Sequence, residues 1–470
     1  MERRATKPIP PRDMPLAGVG DGMGTSRHRR LTLLLLMVIF GFGFVDRVVI
    51  ALVAQALKAD FALSDLEIGL LGGTVFAIVN AIAILPIARL AERTPRKVVV
   101  AGSLIIGSVC TATCAASVSF GQLLTARVGM AVGSAGTEAP AHSMISDMYP
   151  AARRAGALSL FMLGVPIASI VGSFAGGRVA EVYGWRATFL LFGLLGTAVA
   201  IIGLAVMREP ARGDVIDGHE SASAPSLFAV AALLWRSVDF RLILLGTALV
   251  SLASFGVNTF LPAFFSRSFG LGTGDAGLAF GLIAGVASAV GSIAGGYGSQ
   301  ALARRDPSRL MLFPAIGLLV GAPLLMVGVT RNTLGAAIPI ILVGSCFFYT
   351  ALAPAIAATH ALLDSRSRAT GSALFTLTIH LFGQGLGAPL AGLASDMLAA
   401  WSYGGDFARR CAGIAAQTAG SSCAAASAFG LRSAIIGFAA IYLLGGVAYL
   451  LAVRHARHSP TARDRKAAHG

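Results

Sequence analysis

The chain has 470 residues, 56% of them hydrophobic and only 13% charged, and carries a formal charge of +15. Soluble domains average about 25% charged residues, so this composition excludes a soluble enzyme and points to an all-α integral membrane protein. The excess of Lys and Arg does not imply a nucleic-acid partner, because it is spread over short loops and not gathered into a basic, aromatic-interleaved module.

Residues 1–30 are polar and basic, with Pro8, Pro10 and Pro11, and are expected to form a disordered tail. They are not read as a signal peptide, since the following apolar run is too long and has no small-residue cleavage site. A spanning helix needs about 20 mostly apolar residues. Segments that qualify run at 31–55, 65–90, 97–119, 121–148, 155–181 and 186–207, and then at 240–266, 275–302, 309–330, 333–362, 367–398 and 429–453. The pattern predicts twelve crossings, with a six-helix bundle at 31–207, a linker at 208–239, a second six-helix bundle at 240–453 and a tail at 454–470. The linker's second part, SLFAVAALLWRSVDF, is too short to span and is expected to lie in the interface as a helix.

Basic residues mark alternate loops: Arg27, Arg29 and Arg30; Arg93, Arg96 and Lys97; Arg153 and Arg154; Arg208 and Arg212; Arg304, Arg305 and Arg309; Arg366 and Arg368; Arg463, Arg465 and Lys466. The opposite loops hold only Lys58, Arg267, Arg331 and Arg409–Arg410. The positive-inside rule then places both termini in the cytoplasm, in an inner membrane if the source is bacterial. Cys411 and Cys423 share one loop on the bare side, where a disulfide is plausible; Cys110, Cys114 and Cys346 lie in apolar runs as small packing groups.

Charged residues inside the spans point to a polar cavity, because a central Asp or Arg costs roughly 2.5–3.5 kcal/mol to insert. Asp46 and Arg47 interrupt the first segment, and Arg127, Ser134 and Glu138 fall on one stripe of the fourth. Asp46 and Arg127 are expected at matching depths, where they can pair across the cavity. Asp46, Glu138 and His380 are the candidate proton carriers, and His142 is expected to be a packing histidine. Arg47, Arg127, Ser134, Asn258, Phe260, Tyr349, Thr350 and Gln384 are the candidate substrate contacts, with Phe264, Phe347, Phe348 and Phe375 as further apolar wall. No phosphate-binding loop, catalytic triad or metal-ligand cluster appears, so neither a cofactor, a metal nor an enzymatic activity is expected.

Repeated halves are a transporter signature. The basic turn after the second segment, ARLAERTPRK at 88–97, resembles motif A of the major facilitator superfamily, with Glu92 in the acidic slot and Ala88 where the family has Gly. The glycines and the Gly184–Trp185–Arg186 turn of GVPIASIVGSFAGGRVAEVYGWRATF fit the same family. Within it the chain resembles the Spinster branch and its bacterial relatives, through Asp46–Arg47, DFALSDLEIGLLGG at 60–73, RVGMAVGSAGTEAPAHSMISDMYP at 127–150 and LPAFFSRSFGLGTGDAG at 261–277. The branch's fourth-helix glutamate is replaced here by Ser134. Glu138 lies four residues on, on the same helix face and about 6 Å deeper, where it can substitute.

The resemblance implies the major facilitator fold and a latch at Glu92, Arg93 and Arg96 that holds the two halves together when the cavity opens outward. It also implies a monomeric, proton-coupled secondary transporter among membrane lipids, moving an amphipathic or anionic substrate such as a lysolipid or sphingolipid-like molecule. Small organic acids or drug-like molecules are the alternative substrates, and a non-transporting membrane sensor is the alternative of another class.

Overall fold

The computed structural model describes residues 26–210, 232, 234–363, 368–404, 407–411 and 421–458. The helices, in chain order, are α1 (Ser26–Phe61), α2 (Asp65–Arg93), α3 (Arg96–Cys114), α4 (120–148), α5 (151–183), α6 (185–206), α7 (Val238–Phe269), α8 (Thr273–Arg305), α9 (Leu312–Val329), α10 (Leu334–Ala361), α11 (368–403) and α12 (Ser422–His458). Ten described stretches are long and apolar enough to cross a membrane. One of them, Gly156–Val206, turns back at Gly184, whose φ of 82° lies where L side chains rarely go, and so holds α5 and α6. With α4, this is consistent with the expected twelve crossings.

Two differences from the sequence reading concern the ends. Residues Ser26–Arg30 are not tail but the first turns of α1. Most of the expected interfacial helix, like residues 1–25 and 459–470, lies outside the described residues; of it, Leu234–Arg236 are helical.

The expected continuous segments 121–148 and 333–362 are each broken, and proline explains both breaks. Pro140 has no N–H for the Gly136 carbonyl, and α4 parts between Ala135 and Glu138. Pro354 likewise cannot serve the Thr350 carbonyl, and α10 parts between Phe348 and Leu352. Two further helices widen into π-helix, α2 at Leu70–Thr74 and α11 at Ile379–Gly387. Such segments recur at functional sites because they redirect backbone carbonyls out of the helical ladder.

The π segments pack on each other across the two halves. Pro389 leaves the Gly385 carbonyl without its helical donor, and the Thr74 hydroxyl of the other half donates to it. The backbones are so close that a Cβ on Gly73 would stand 2.4 Å from the Gln384 carbonyl oxygen, and one on Gly392 would stand 2.2 Å from that of Asp65. The halves also meet along α5 and α8, where a Cβ on Gly277 would lie 2.7 Å from the Ser173 carbonyl oxygen. Small residues admit this backbone-on-backbone packing, which supplies helix association where lipid offers no hydrophobic drive.

Candidate functional site

A cavity of about 510 Å³ lies between the halves, lined from α1, α2, α4, α5 and α11. Its lining residues come from the middle of α1 and α5 and from the parts of α2, α4 and α11 nearer the arginine-rich loops, so it lies toward the basic face. The wall is apolar at Phe40, Phe44, Ile84, Val165, Leu374 and Leu377, with Arg47, Asn80, Ser134, Glu138, His142 and His380 set into it.

Arg47 carries the strongest unmet demand. Its Nε is buried without a hydrogen-bond partner among the described residues, and its guanidinium lies over the rings of Phe76 at 4.9 Å and Phe44 at 5.7 Å. The aromatic faces hold the cation in place while leaving its donors free for an anionic group. Glu138 makes no hydrogen bond or salt bridge among the described residues, and it lines the same cavity as Arg47. The break in α4 separates Ser134 from Glu138, yet both still reach the same cavity.

Asp46 and Arg127 do not form the expected ion pair. The Arg127 side chain is fully buried, and its Nε donates to the Leu71 carbonyl at 3.0 Å while an Nη donates to that of Gly72 at 3.5 Å. Both carbonyls belong to the π segment of α2, which turns them toward α4. Asp46 instead accepts a hydrogen bond from Thr111 at 2.8 Å. Arg127 is therefore not presented to the cavity in this state.

Other expected contacts are placed elsewhere. Phe260, Thr350, Gln384 and Phe375 are buried and do not line the cavity. Thr350 donates to its own helix at Phe347, and Gln384 meets His380 Nδ1 at 3.3 Å, steadying that ring toward the cavity. Tyr349 and Asn258 hydrogen-bond to one another in the second half. Sequence reasoning missed the aromatic lining from Phe40 and Phe44, although both lie within two turns of Arg47 on α1, and it set His142 aside as packing.

The opposite face is sealed by a buried charge network that joins the halves. Asp65 of α2 accepts from Lys58 at 2.7 Å, from both Arg267 Nη atoms at 2.7 and 2.6 Å, and from Ser395 at 2.7 Å. The side chains of Lys58, Asp65 and Arg267 are only 3–6% exposed. Gln55 accepts from Arg267 Nε at 3.0 Å, and Asp396 of α11 accepts the backbone N–H groups of Asp65 and Leu66 at 3.1 and 2.9 Å. Two cations and two carboxylates thus balance, and the N-terminus of α2 is capped from the other half.

On the basic face Arg96 is tied within its own half. It binds Asp147, donates to Glu209 at 2.9 Å and Ser143 at 2.8 Å, and reaches the Pro210 carbonyl at 3.1 Å; Glu209 also takes the Lys97 N–H at 2.9 Å. Among the described residues these bonds do not cross to the second half, and Glu92 and Arg93 are exposed. The second halves of this cluster, Asp147 and Glu209, were not foreseen. Cys411 and Cys423 form a disulfide, Cα–Cα 5.4 Å, on the face opposite the basic loops.

A two-halved helical bundle with a cavity between the halves, and a buried charge network joining them on the face away from it, is the architecture of a transporter. The family model of the Major Facilitator Superfamily matches residues 34–388, and the chain belongs to that superfamily. Within it the chain resembles transporters of the Spinster branch. It is 31% identical over 359 residues to an MFS-type efflux pump of Mycolicibacterium smegmatis, covering 76% of this chain and 82% of the relative. It is 29% identical over 375 residues to protein spinster homolog 1 of Mus musculus, covering 76% of this chain and 71% of that protein. A crystal structure of a bacterial homolog of the human lysosomal transporter Spinster, inward-facing and unoccupied, superposes with a TM-score of 0.83 at 29% identity, covering 93% of this chain and all of the other.

Proposed function

We propose that the chain is a proton-coupled secondary transporter of an amphipathic, anionic substrate of the lysolipid or sphingolipid kind, held here in an inward-facing state. The observation that carries this reading is Arg47, a cation whose buried Nε has no hydrogen-bond partner among the described residues, set in a largely apolar cavity. Its guanidinium suits a phosphate or carboxylate head, and Phe40, Phe44, Leu374 and Leu377 suit an acyl or sphingoid body. Two arguments support taking the basic face as cytoplasmic: the arginine asymmetry, and a disulfide on the other face, which is the arrangement an oxidising outer compartment favours.

Alternating access then means exchanging one closure for the other. The Asp65 network opens as the halves rock, and the motif A turn around Glu92, Arg93 and Arg96 moves against the second half. Asp46, Glu138 and His380 are the intramembrane groups available to carry the proton. Export of drug-like molecules is the second reading, favoured by the likeness to the mycobacterial efflux pump.

The reading is tested by a thermal-shift screen on purified protein, comparing lysophosphatidylglycerol, small aromatic acids and cationic dyes. Stabilisation by the lysolipid that Arg47→Ala abolishes and Arg47→Lys weakens about tenfold supports it. Stabilisation by cationic dyes alone, unaffected at Arg47, contradicts it.

A further inference from the structure

The proline break in α4 leaves a short helix, Glu138–Met148, whose first two turns face the cavity. Glu138 and His142 stand one turn apart on it, and both line the cavity. His142 is not a satisfied core histidine: its Nε2 is buried with no hydrogen-bond partner among the described residues. Its ring is fixed edge-on against Phe161, centroids 5.3 Å apart, and Phe161 in turn stacks on Phe40 at 4.5 Å. An imidazole held by aromatic contacts, beside a carboxylate with no hydrogen bond or salt bridge among the described residues, is placed for proton exchange and not for structural hydrogen bonding.

We propose that Glu138 and His142 form a proton relay, in which His142 passes a proton between the open basic face and Glu138, and Glu138 presents it opposite Arg47. The step is a transfer from the imidazolium to the carboxylate, leaving neutral imidazole and neutral carboxylic acid. It removes the negative charge beside Arg47, so the guanidinium is left for a substrate anion. The other charged or titratable groups around the short helix are Arg47 on α1, Glu92 on α2, Arg96 on α3, Arg154 on α5 and His380 on α11. Arg96 is occupied by Asp147 and Glu209, and Arg154 by the Ser146 carbonyl. Glu138 is the carboxylate one turn from His142 on the same short helix. The relay rests on the proton-coupled reading above, and supplies the group that takes over from the glutamate absent at Ser134.

Two measurements on the full-length protein test it without a substrate. Carbethoxylation by diethyl pyrocarbonate, mapped by mass spectrometry, follows the neutral imidazole at each histidine as pH rises. His142 should react with a clear midpoint, and Glu138→Gln should move that midpoint down by roughly half a pH unit, since a neighbouring anion no longer favours the imidazolium. The midpoint of His455, which is paired with Asp239 at 2.8 Å, should stay where it is. A His142 that never reacts, or that titrates identically in Glu138→Gln, overturns the relay. The second measurement follows the distance between spin labels at residues 118 and 332, on the face opposite the basic loops, as a function of pH. If the wild type responds to pH, then His142→Gln and Glu138→Gln must change the response, and identical responses overturn the relay. If the wild type does not respond, the proton-coupled reading itself fails and the relay falls with it.

Discussion

Asp65 forms buried ion pairs with two cations, one from each half. It neutralises Lys58 on its own side and Arg267 from the other half, with all three side chains withdrawn from solvent. Removing one partner of a buried network leaves the others uncompensated, which typically costs about 3–5 kcal/mol. Asp65→Asn is therefore expected to lower the thermal midpoint and to expose the opposite face to water-soluble thiol reagents at engineered cysteines. A variant as stable and as closed as the wild type contradicts the assignment. Asp46 belongs to a different class. Among the described residues its one hydrogen bond comes from the Thr111 hydroxyl, so Asp46→Asn should leave folding intact while removing the pH dependence of transport in proteoliposomes. Unchanged pH dependence removes Asp46 from the coupling. In the sequence, the intramembrane charges Asp46, Arg47 and Glu138 were legible because hydrocarbon does not tolerate them idly. The network around Asp65 was not. Its members appear as scattered charges near the ends of spans, and contacts spanning 202 and 330 residues of chain leave no local trace.

At the scale of elements, the helices that depart from ideal geometry are the ones that build the site. Breaks at Gly136–Thr137 and near Thr350 follow from proline four residues downstream, a signal present in the sequence but overlooked in segments read as continuous. The π segments carry no comparable signature. Yet the one in α2 explains why Arg127 takes backbone carbonyls in place of Asp46. Glycine substitutions separate the kinds of strain. At Gly392 a side chain would collide with the Asp65 backbone of the other half, so Gly392→Val is expected to hold the halves apart on that face and abolish transport. At Gly184 nothing stands within 4 Å of an added Cβ, and only the positive φ opposes it. With φ 82° and ψ 169°, a region that essentially only glycine enters, Gly184→Ala is expected to cost about 1–3 kcal/mol and to leave transport intact. Thermal unfolding together with a transport assay distinguishes the two. Equal loss of transport in both variants contradicts this reading of the interface.

For the whole molecule, the twelve-segment pattern, the two halves and the arginine asymmetry were readable because membrane thickness and insertion fix length and charge. The state of the molecule was not readable, because the same sequence must support both closures. On the function proposed above, the halves rock about the cavity, with the Asp65 network as the closure of one face. The direct test is electron–electron resonance on two spin-label pairs, residues 118 and 332 on the opposite face and residues 153 and 305 on the basic face, in wild type and Asp65→Asn. The substitution is expected to lengthen the first distance and shorten the second. Two unchanged distances, or two that lengthen together, would contradict it.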